Sequence, residues 1–295
     1  MKTLRVSFIA LLGVGCVTNP QLMSKDPQLA GKSFTVEAIN ISAAQLARES
    51  NKKCPLNVKE VENRTWREHL ELGAACAAKE KWSSVEFIGQ HLADSFPTAP
   101  WGFYFMSLSA DARGDVTRSF WMLEQASEKD KSLALFPYQR GRIYLKNNET
   151  DMAMAEFEKA LKLDSGLYEA DLFIAQIRLR SGNYVAAERS FRNVLKFVPF
   201  HRDALLGAAR CMVVNGDPKL ALDFFDRVVA KDKKDFEARY ERAVVLETVF
   251  QRYEEALLEY QNLLINSDNK NQLQKRIQEL EKLIKTTRKV AGGKR

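Results

Sequence analysis

Histidine is the side chain most often used for metal binding and for proton transfer near neutral pH. The chain has three, His69, His91 and His201, and none has the spacing of a metal-binding motif. The sequence also contains no nucleophile elbow and no phosphate-binding loop. Its carboxylates alternate with basic residues on predicted helical faces, as Glu156 does with Lys159, which is typical of solvated surfaces. We therefore predict that the protein is not an enzyme and uses no cofactor, metal ion or small-molecule substrate.

The N-terminus has the character of an export signal. Lys2 and Arg5 precede an apolar stretch from Val6 to Val14, which is too short to span a bilayer as a helix. A positive start, a short apolar core and small residues before a cleavage site define a secretory signal. We predict that residues 1–15 are a signal peptide.

The run from Leu11 to Cys16 resembles a bacterial lipobox, in which the cysteine is acylated and becomes the first residue of the mature chain. It departs from that pattern at Gly13, where a leucine is usual. The resemblance implies a lipid anchor at Cys16. Because Val17 is not the aspartate that typically retains such proteins in the inner membrane, it also implies the outer membrane. The alternative is cleavage by an ordinary signal peptidase, which would release a soluble periplasmic protein.

Three further cysteines bear on the compartment, because oxidising surroundings permit disulfides. If Cys16 is acylated, Cys54, Cys76 and Cys211 remain, and three thiols cannot all pair within one chain. Cys54 and Cys76 are the closest in sequence, and a bond between them would stabilise the start of the folded region. Whether they are bonded stays open at this point. Cys211 is predicted to be a small core residue.

A period of 34 residues predicts the elements that hold these side chains. Small residues occupy one series: Gly73, Ser107, Gly141, Ala175, Ala209 and Ala243. A second series, one residue late at its end, runs Val85, Ser119, Ala153, Ala187, Ala221 and Ala256. A third lies four residues after the second: Gly89, Leu123, Phe157, Phe191, Phe225 and Tyr260. A fixed period in this range indicates stacked supersecondary units.

Each unit is predicted to be a helix, a turn and a second helix. Small residues in both halves allow two helices to approach closely, and the large residue of the third series fills the space between neighbouring repeats. Gly114, Asn148, Gly182 and Gly216 recur between the halves, where a helix-ending turn needs a left-handed backbone.

This pattern resembles the tetratricopeptide repeat family, whose repeats place small residues, an aromatic residue and a closing proline at these offsets. The best matches are Tyr168 to His201, closed by Pro199, and Arg202 to Asp235. The resemblance covers residues 66–270, with one inserted residue near Gln251. It implies an all-α fold, a solenoid of about six helix-turn-helix units that winds as a right-handed superhelix. A fold alone does not assign a task.

The segments that flank the repeats have different characters. Residues 16–65 are predicted to be the lipidated cysteine and a tether, since Pro20, Pro27 and Gly31 fall among few apolar residues. Residues 271–290 are predicted to be an amphipathic capping helix, because solenoids need to cover the open face of the last repeat. Its apolar stripe is Leu273, Ile277, Leu280 and Ile284. A short coiled-coil contact or attraction to an anionic lipid or another acidic surface are the alternatives.

The net charge of +7 is concentrated at the C-terminus. Residues 270–295 contain nine lysines and arginines against Glu279 and Glu281, which accounts for the whole excess. The remainder is neutral, so we predict no nucleic-acid-binding surface. Residues 291–295 are predicted to be a disordered basic tail.

In this family the first helices line a concave groove that holds an extended peptide or a helix of a partner. We expect the main binding patch at groove positions in the N-terminal half, namely Trp101, Tyr104, Leu108, Leu135, Tyr138 and Arg142. Gln176, Arg210 and Tyr240 continue the groove beside a line of acids, Glu169, Asp203 and Glu237. The groove positions of this family include the second, fifth and ninth residues of each repeat. Aromatic side chains would supply contact area and Arg142 a charge-assisted bond. The alternative is that these aromatics pack between adjacent repeats. The lysines and asparagines with which some members clamp a terminal carboxylate are absent from these positions, which disfavours such a clamp.

These features together are similar to bacterial repeat lipoproteins. We expect a non-enzymatic scaffold for protein or peptide partners, lipid-anchored in the cell envelope with its solenoid in the periplasm. One hypothesis is an assembly factor for type IV pili, secretion systems or gliding machinery. The other is an adaptor that docks and regulates peptidoglycan hydrolases. The sequence does not identify the partner or the oligomeric state.

Overall fold

The computed structural model describes residues 54–61, 64–265 and 270–292, with only the backbone of Arg67 and of residues 289–292. The predicted signal peptide, Cys16 and the tether up to residue 53 lie outside the described residues, as do residues 293–295 of the predicted tail. The described residues form thirteen α-helices and one short 3₁₀ helix, Val58–Glu60, and contain no β-strand. None of these helices is long and apolar enough to cross a membrane.

The helices follow one another with short connections. Their bounds are α1 Trp66–Ala78, α2 Trp82–Ser95, α3 Trp101–Ala112, α4 Val116–Lys129, α5 Leu135–Lys146, α6 Thr150–Leu163, α7 Tyr168–Arg180, α8 Tyr184–Phe197, α9 Arg202–Asn215, α10 Pro218–Lys231, α11 Phe236–Thr248, α12 Tyr253–Leu264 and α13 Lys270–Gly292. The first helix of each repeat begins within one residue of the start that the 34-residue period predicts. The all-α repeat fold is therefore confirmed.

The chain divides into two compact units, Met1–Phe173 and Ile174–Arg295, here called unit 1 and unit 2, with the boundary inside α7. Within each unit, helices that are consecutive in sequence pack against one another. In unit 1 this packing joins α1 through α6, and in unit 2 it joins α8 through α13.

Large residues of the third series pack against glycines of the first helices, Phe157 against Gly141 of its own repeat and Phe191 against Gly207 of the next repeat. The ring of Phe157 lies so close to Gly141 that an added Cβ would be 2.7 Å from it, and a Cβ on Gly207 would be 2.2 Å from the Phe191 ring. Phe157 and Phe191 are themselves fully buried. Interiors packed this tightly tolerate few changes of volume, so these positions fix the approach of paired helices.

Local signals begin and end the helices. Thr65 and Glu68 form a capping box at the start of α1, in which each side chain accepts a hydrogen bond from the other residue's backbone N–H. The predicted turn residues adopt a left-handed backbone, with φ of 65° at Asn148 and 92° at Gly216. Gln251, near the predicted insertion, has φ of 54°.

The last helix covers the end of the repeats. The four residues of the predicted apolar stripe of α13 are buried, and three of them, Leu273, Ile277 and Leu280, pack in one cluster with Leu246 and Tyr260 of α11 and α12. This confirms the capping helix. The helix continues to Gly292, so residues 291 and 292 are helical rather than part of a disordered tail.

Candidate partner-binding surface

The aromatic residues that the sequence places in the main binding patch of unit 1 are buried. Tyr104 is 1% exposed and Tyr138 is 0% exposed, and Trp101 and Leu108 are also buried. The Tyr104 ring lies 6.3 Å from the Trp101 ring and 6.1 Å from the Phe136 ring. The prediction that these side chains contact a partner is therefore wrong for the aromatic residues, which pack between helices as the alternative held.

Tyr138 and Arg142 both contact neighbouring side chains within unit 1. The Tyr138 ring packs 6.0 Å from Phe157 and 6.1 Å from Phe173. The Arg142 guanidinium lies 5.9 Å from the centroid of the Tyr138 ring and donates to Gln139 Oε1 at 3.1 Å. Leu135 is only partly buried. Of the predicted patch, Leu135 and Arg142 alone keep a solvent-facing part.

The hydroxyl groups of Tyr104 and Tyr138 are buried without a hydrogen-bond partner among the described residues. Burial raises the pKa of both groups well above the ordinary value of 10.0, and the nearby charge of Arg142 offsets a part of this effect. Both hydroxyls therefore stay protonated and neutral at physiological pH.

The accessible part of the predicted groove lies in unit 2, on α9 and α11. Tyr240 is 42% exposed and stacks on Phe236, which is also 42% exposed, with 6.0 Å between the ring centroids. Its other neighbour is Tyr260, whose ring meets it edge-on at 5.9 Å. We name the exposed face formed by Asp203, Arg210, Phe236, Glu237, Tyr240 and Glu241 the α9–α11 surface. Gln176, the remaining predicted position, is partly buried in α7.

A ladder of ion pairs crosses this surface. Arg210 Nε donates to both carboxylate oxygens of Glu241 at 2.9 Å, and Arg210 Nη2 lies 2.5 Å from Glu237 Oε1. Arg202 joins the other side of Glu237 at 2.7 Å and also pairs with Asp235 and Asp203. Two guanidinium groups thus face four carboxylates, which leaves a formal charge of −2.

The carboxylates of the ladder differ in their protonation behaviour. Burial is the largest influence on each and favours the neutral acid. At Glu237 the hydrogen bonds and charges of Arg202 and Arg210 outweigh burial, so its pKa lies below the ordinary 4.5. At Glu241 burial prevails and the pKa is raised. The exposed carboxylate of Glu237 therefore holds its negative charge more firmly than that of Glu241.

The sequence indicated part of this surface. It gave Arg210, Tyr240 and the acids Asp203 and Glu237 at groove positions, but it missed Phe236 and Glu241. Phe236 is the first residue of its repeat, and a rule that considers only the second, fifth and ninth positions passes over it. The spacing Phe236 to Tyr240 is i, i+4, which puts both rings on one helical face and could have found the pair.

The cysteines occupy two settings. Cys54 and Cys76 are joined by a disulfide bond with their Cα atoms 5.7 Å apart, so the structure shows the bonded alternative. Cys211 is a free thiol buried in α9, and burial raises its pKa to about 11. A thiol in that setting is chemically inert.

The histidines do not form a metal site. His69 is buried, its ring lies 5.0 Å from that of His91, and its Nδ1 is 2.9 Å from the backbone oxygen of Thr65. His201 is the N-cap of α9, where its Nδ1 accepts the Ala204 N–H. Within the ranges that the structure describes, no three histidine, cysteine, aspartate or glutamate side chains converge on a point where a metal ion could bind.

Repeated helix pairs with an exposed face on their first helices define an α-helical repeat protein of the solenoid class. Comparison with known proteins agrees: two tetratricopeptide repeat models match residues 138–166, 172–236 and 215–271. The chain is a tetratricopeptide repeat protein.

Two solved structures share this fold. PilF of Pseudomonas aeruginosa has a TM-score of 0.61 at 11% identity, over 71% of this chain and 96% of that one. YrrB, described as a tetratricopeptide repeat protein with an unusual peptide-binding site, has a TM-score of 0.56 at 17% identity, over 65% of this chain and 97% of that one. These likenesses show the fold.

One curated relative is anaphase-promoting complex subunit 3 of Schizosaccharomyces pombe, 20% identical over 184 residues. The match covers 62% of this chain, which spans only 28% of the relative. The repeats and the fold together support a protein–protein interaction scaffold.

Proposed function

We propose that the protein is a non-enzymatic adaptor whose α9–α11 surface binds a basic segment of a partner protein. The observation that carries this proposal is the exposed Phe236–Tyr240 stack beside a ladder of net charge −2. Exposed aromatic rings provide contact area at a low cost in side-chain entropy. Unbalanced carboxylates beside them favour lysine or arginine in the partner and steer its approach. The peptide-binding site named for YrrB supports a peptide as the form of that partner.

The envelope location is part of the same proposal. Acylation of Cys16 would anchor the adaptor, with the outer membrane favoured over the inner one and a soluble periplasmic form as the alternative. The Cys54–Cys76 disulfide supports export, because disulfides persist in oxidising compartments. There the adaptor would assist assembly of a type IV pilus, a secretion system or gliding machinery.

Affinity capture from the native cell envelope tests the surface. Asp203→Lys and Tyr240→Ala should each remove the captured partner, and Asp223→Lys should retain it. Asp223 is an exposed residue of α10, so this control makes the same charge change outside the α9–α11 surface. Equal capture of the partner by the wild type and all variants would refute the assignment of partner binding to the α9–α11 surface. Mass spectrometry of the captured proteins would separate pilus, secretion or gliding components from peptidoglycan hydrolases.

Fractionation of the cells tests whether a lipid on Cys16 anchors the protein to a membrane. The wild-type protein should remain in the membrane fraction after a high-salt wash, and its mature N-terminus should be a diacylglyceryl cysteine at position 16. Cys16→Ser should prevent this modification and move the protein away from the washed membranes. An unmodified wild-type N-terminus in the soluble fraction would favour the periplasmic alternative.

A further inference from the structure

A cleft of about 440 Å³ opens in unit 2 beside the C-terminal half of α10. Its lining residues come from α9, α10 and the connections before α9 and α11: Phe200, Arg202, Leu205, Arg227, Val228, Lys231, Asp232 and Asp235. Leu205 and Val228 are buried, whereas Phe200 is 56% exposed at the rim. A cleft of this size with an apolar interior and a few polar groups is suited to binding side chains of a ligand.

Two positive charges are held at the Phe200 side of the cleft. The Arg227 guanidinium lies 5.0 Å from the centroid of the Phe224 ring and 5.6 Å from that of Phe200, and its Nη2 donates to the backbone oxygen of Pro199 at 2.7 Å. Lys231, one turn later on α10, has its Nζ 5.8 Å from the Phe200 centroid. Across the residues that the structure describes, neither cation has a carboxylate partner.

The polar groups on the opposite wall have hydrogen-bond partners within the protein. Arg202 Nη2 donates to Asp235 Oδ1 at 2.9 Å, so these two residues form an ion pair. Asp232 Oδ1 accepts the backbone N–H of Lys234 at 2.9 Å. The lining thus contains three cations against two carboxylates. Arg227 and Lys231 are the cations without a carboxylate partner among the described residues, and they lie next to an exposed aromatic ring.

We propose that this cleft binds an acidic segment of a partner polypeptide, with an aspartate or glutamate between Arg227 and Lys231 and an apolar side chain on Phe200. A carboxylate would complete the charge-assisted bonds that the two cations lack. Asp232 and Asp235 lie within the cleft, and Asp203 and Glu237 pair with Arg202 beside it, so these acids would repel an extended polyanion such as a nucleic acid. The site thus selects a local negative charge flanked by apolar groups. It is distinct from the α9–α11 surface and has the opposite charge preference.

Peptide binding to the full-length protein tests the proposal. The probes are amidated octapeptides that alternate glutamate with phenylalanine or leucine, matched by the same peptides with glutamine. By fluorescence anisotropy at low salt, the glutamate peptides should bind at least tenfold more tightly than the glutamine peptides. Lys231→Glu and Phe200→Ser should each weaken the glutamate peptides tenfold or more.

Matched variants separate this site from its surroundings. Lys219→Glu makes the same charge change at the exposed N-terminal end of α10 and should leave affinity within twofold of the wild type. Tyr240→Ala should also leave it within twofold, whatever its effect on the α9–α11 partner. Equal binding of the glutamine peptides, or an equal loss of affinity in Lys219→Glu and Lys231→Glu, would overturn the proposal. So would the absence of binding by glutamate peptides.

Discussion

The tyrosines at the fifth position of two repeats in unit 1 carry a polar group that the fold does not use. Tyr104 and Tyr138 bury their rings among other aromatics, and their hydroxyls have no hydrogen-bond partner in the part of the chain that the structure describes. A buried donor without a partner loses its hydrogen bond to water and costs about 1–3 kcal/mol. The rings therefore stabilise unit 1 while the hydroxyls oppose it.

Removing only the hydroxyl should raise stability. Tyr104→Phe and Tyr138→Phe keep the ring and are each expected to raise the free energy of unfolding by up to about 1 kcal/mol, since the desolvated donor is gone. Urea unfolding followed by circular dichroism measures this change. Tyr104→Ala, which also removes the ring, should instead lose about 3–5 kcal/mol. A loss of stability in both phenylalanine variants would contradict the assignment of unused hydroxyls.

His201 makes the start of α9 sensitive to pH. Burial is the main reason that its pKa lies below the ordinary 6.5, and the charge of Lys231 adds to this effect. The folded state then binds a proton less readily than the unfolded state, so stability is retained above pH 6.5 and declines as the pH falls from there towards the lower folded pKa. Protonation would also remove the Nδ1 lone pair that accepts the Ala204 N–H.

Replacing His201 with a residue that caps but does not titrate should remove this dependence. Asparagine is a favoured N-cap, so His201→Asn should match the wild type at pH 7.5 to within about 0.5 kcal/mol. At pH 5.5 the variant should be the more stable of the two. The midpoints of urea unfolding at both pH values measure this difference in stability. His69 is present in both proteins, so its titration affects both equally. Parallel loss of stability in the two proteins would assign the pH dependence to other groups.

At the scale of elements, the disulfide ties the segment before the first repeat to α1. It joins residues separated by 22 positions, and the chain-entropy model gives a loop of this size a stabilisation of about 3 kcal/mol. Cys54→Ser is the better test, because Cys76 is fully buried and serine there would add an unsatisfied hydroxyl to the core. A reducing agent should lower the urea midpoint of the wild type to that of Cys54→Ser and leave the variant unchanged. If the urea midpoint of the wild type stays unchanged after verified reduction, the bond does not stabilise the fold.

The sequence predicts the elements well because helix packing depends on residue size at a fixed period. Gly141 and Phe157 each follow the 34-residue period, and the structure places the ring against the glycine, a pairing that the period does not itself specify. Exposure does not follow from the same spacing. Tyr104 and Tyr240 hold the same position of their repeats, yet Tyr104 is enclosed by Trp101 and Phe136, whereas Tyr240 is exposed. Which residues surround a position depends on neighbouring helices, and the period of one helix does not contain that information.

At the scale of the whole molecule, the repeats determine how far a local defect spreads. In a repeat protein each element is stabilised mainly by its sequence neighbours, so stability behaves as a sum of local terms. Unit 2 ends in α13, whose residue Leu280 is buried against the last repeat. The end of the chain is where the loss of a single interface is easiest to observe.

Leu280→Asp should open the end of unit 2 without unfolding unit 1. An aspartate at this buried position either places a negative charge in the core without a partner or detaches α13 from α12. Detachment would expose Tyr260 and Leu263 of α12. Hydrogen exchange should therefore accelerate in α11, α12 and α13, while α1 to α3 keep wild-type protection. Leu283→Asp makes the same change at a position of α13 that is 38% exposed and should leave exchange nearly unchanged. Uniform loss of protection from α1 to α13 in Leu280→Asp would show instead that the repeats unfold as one cooperative block.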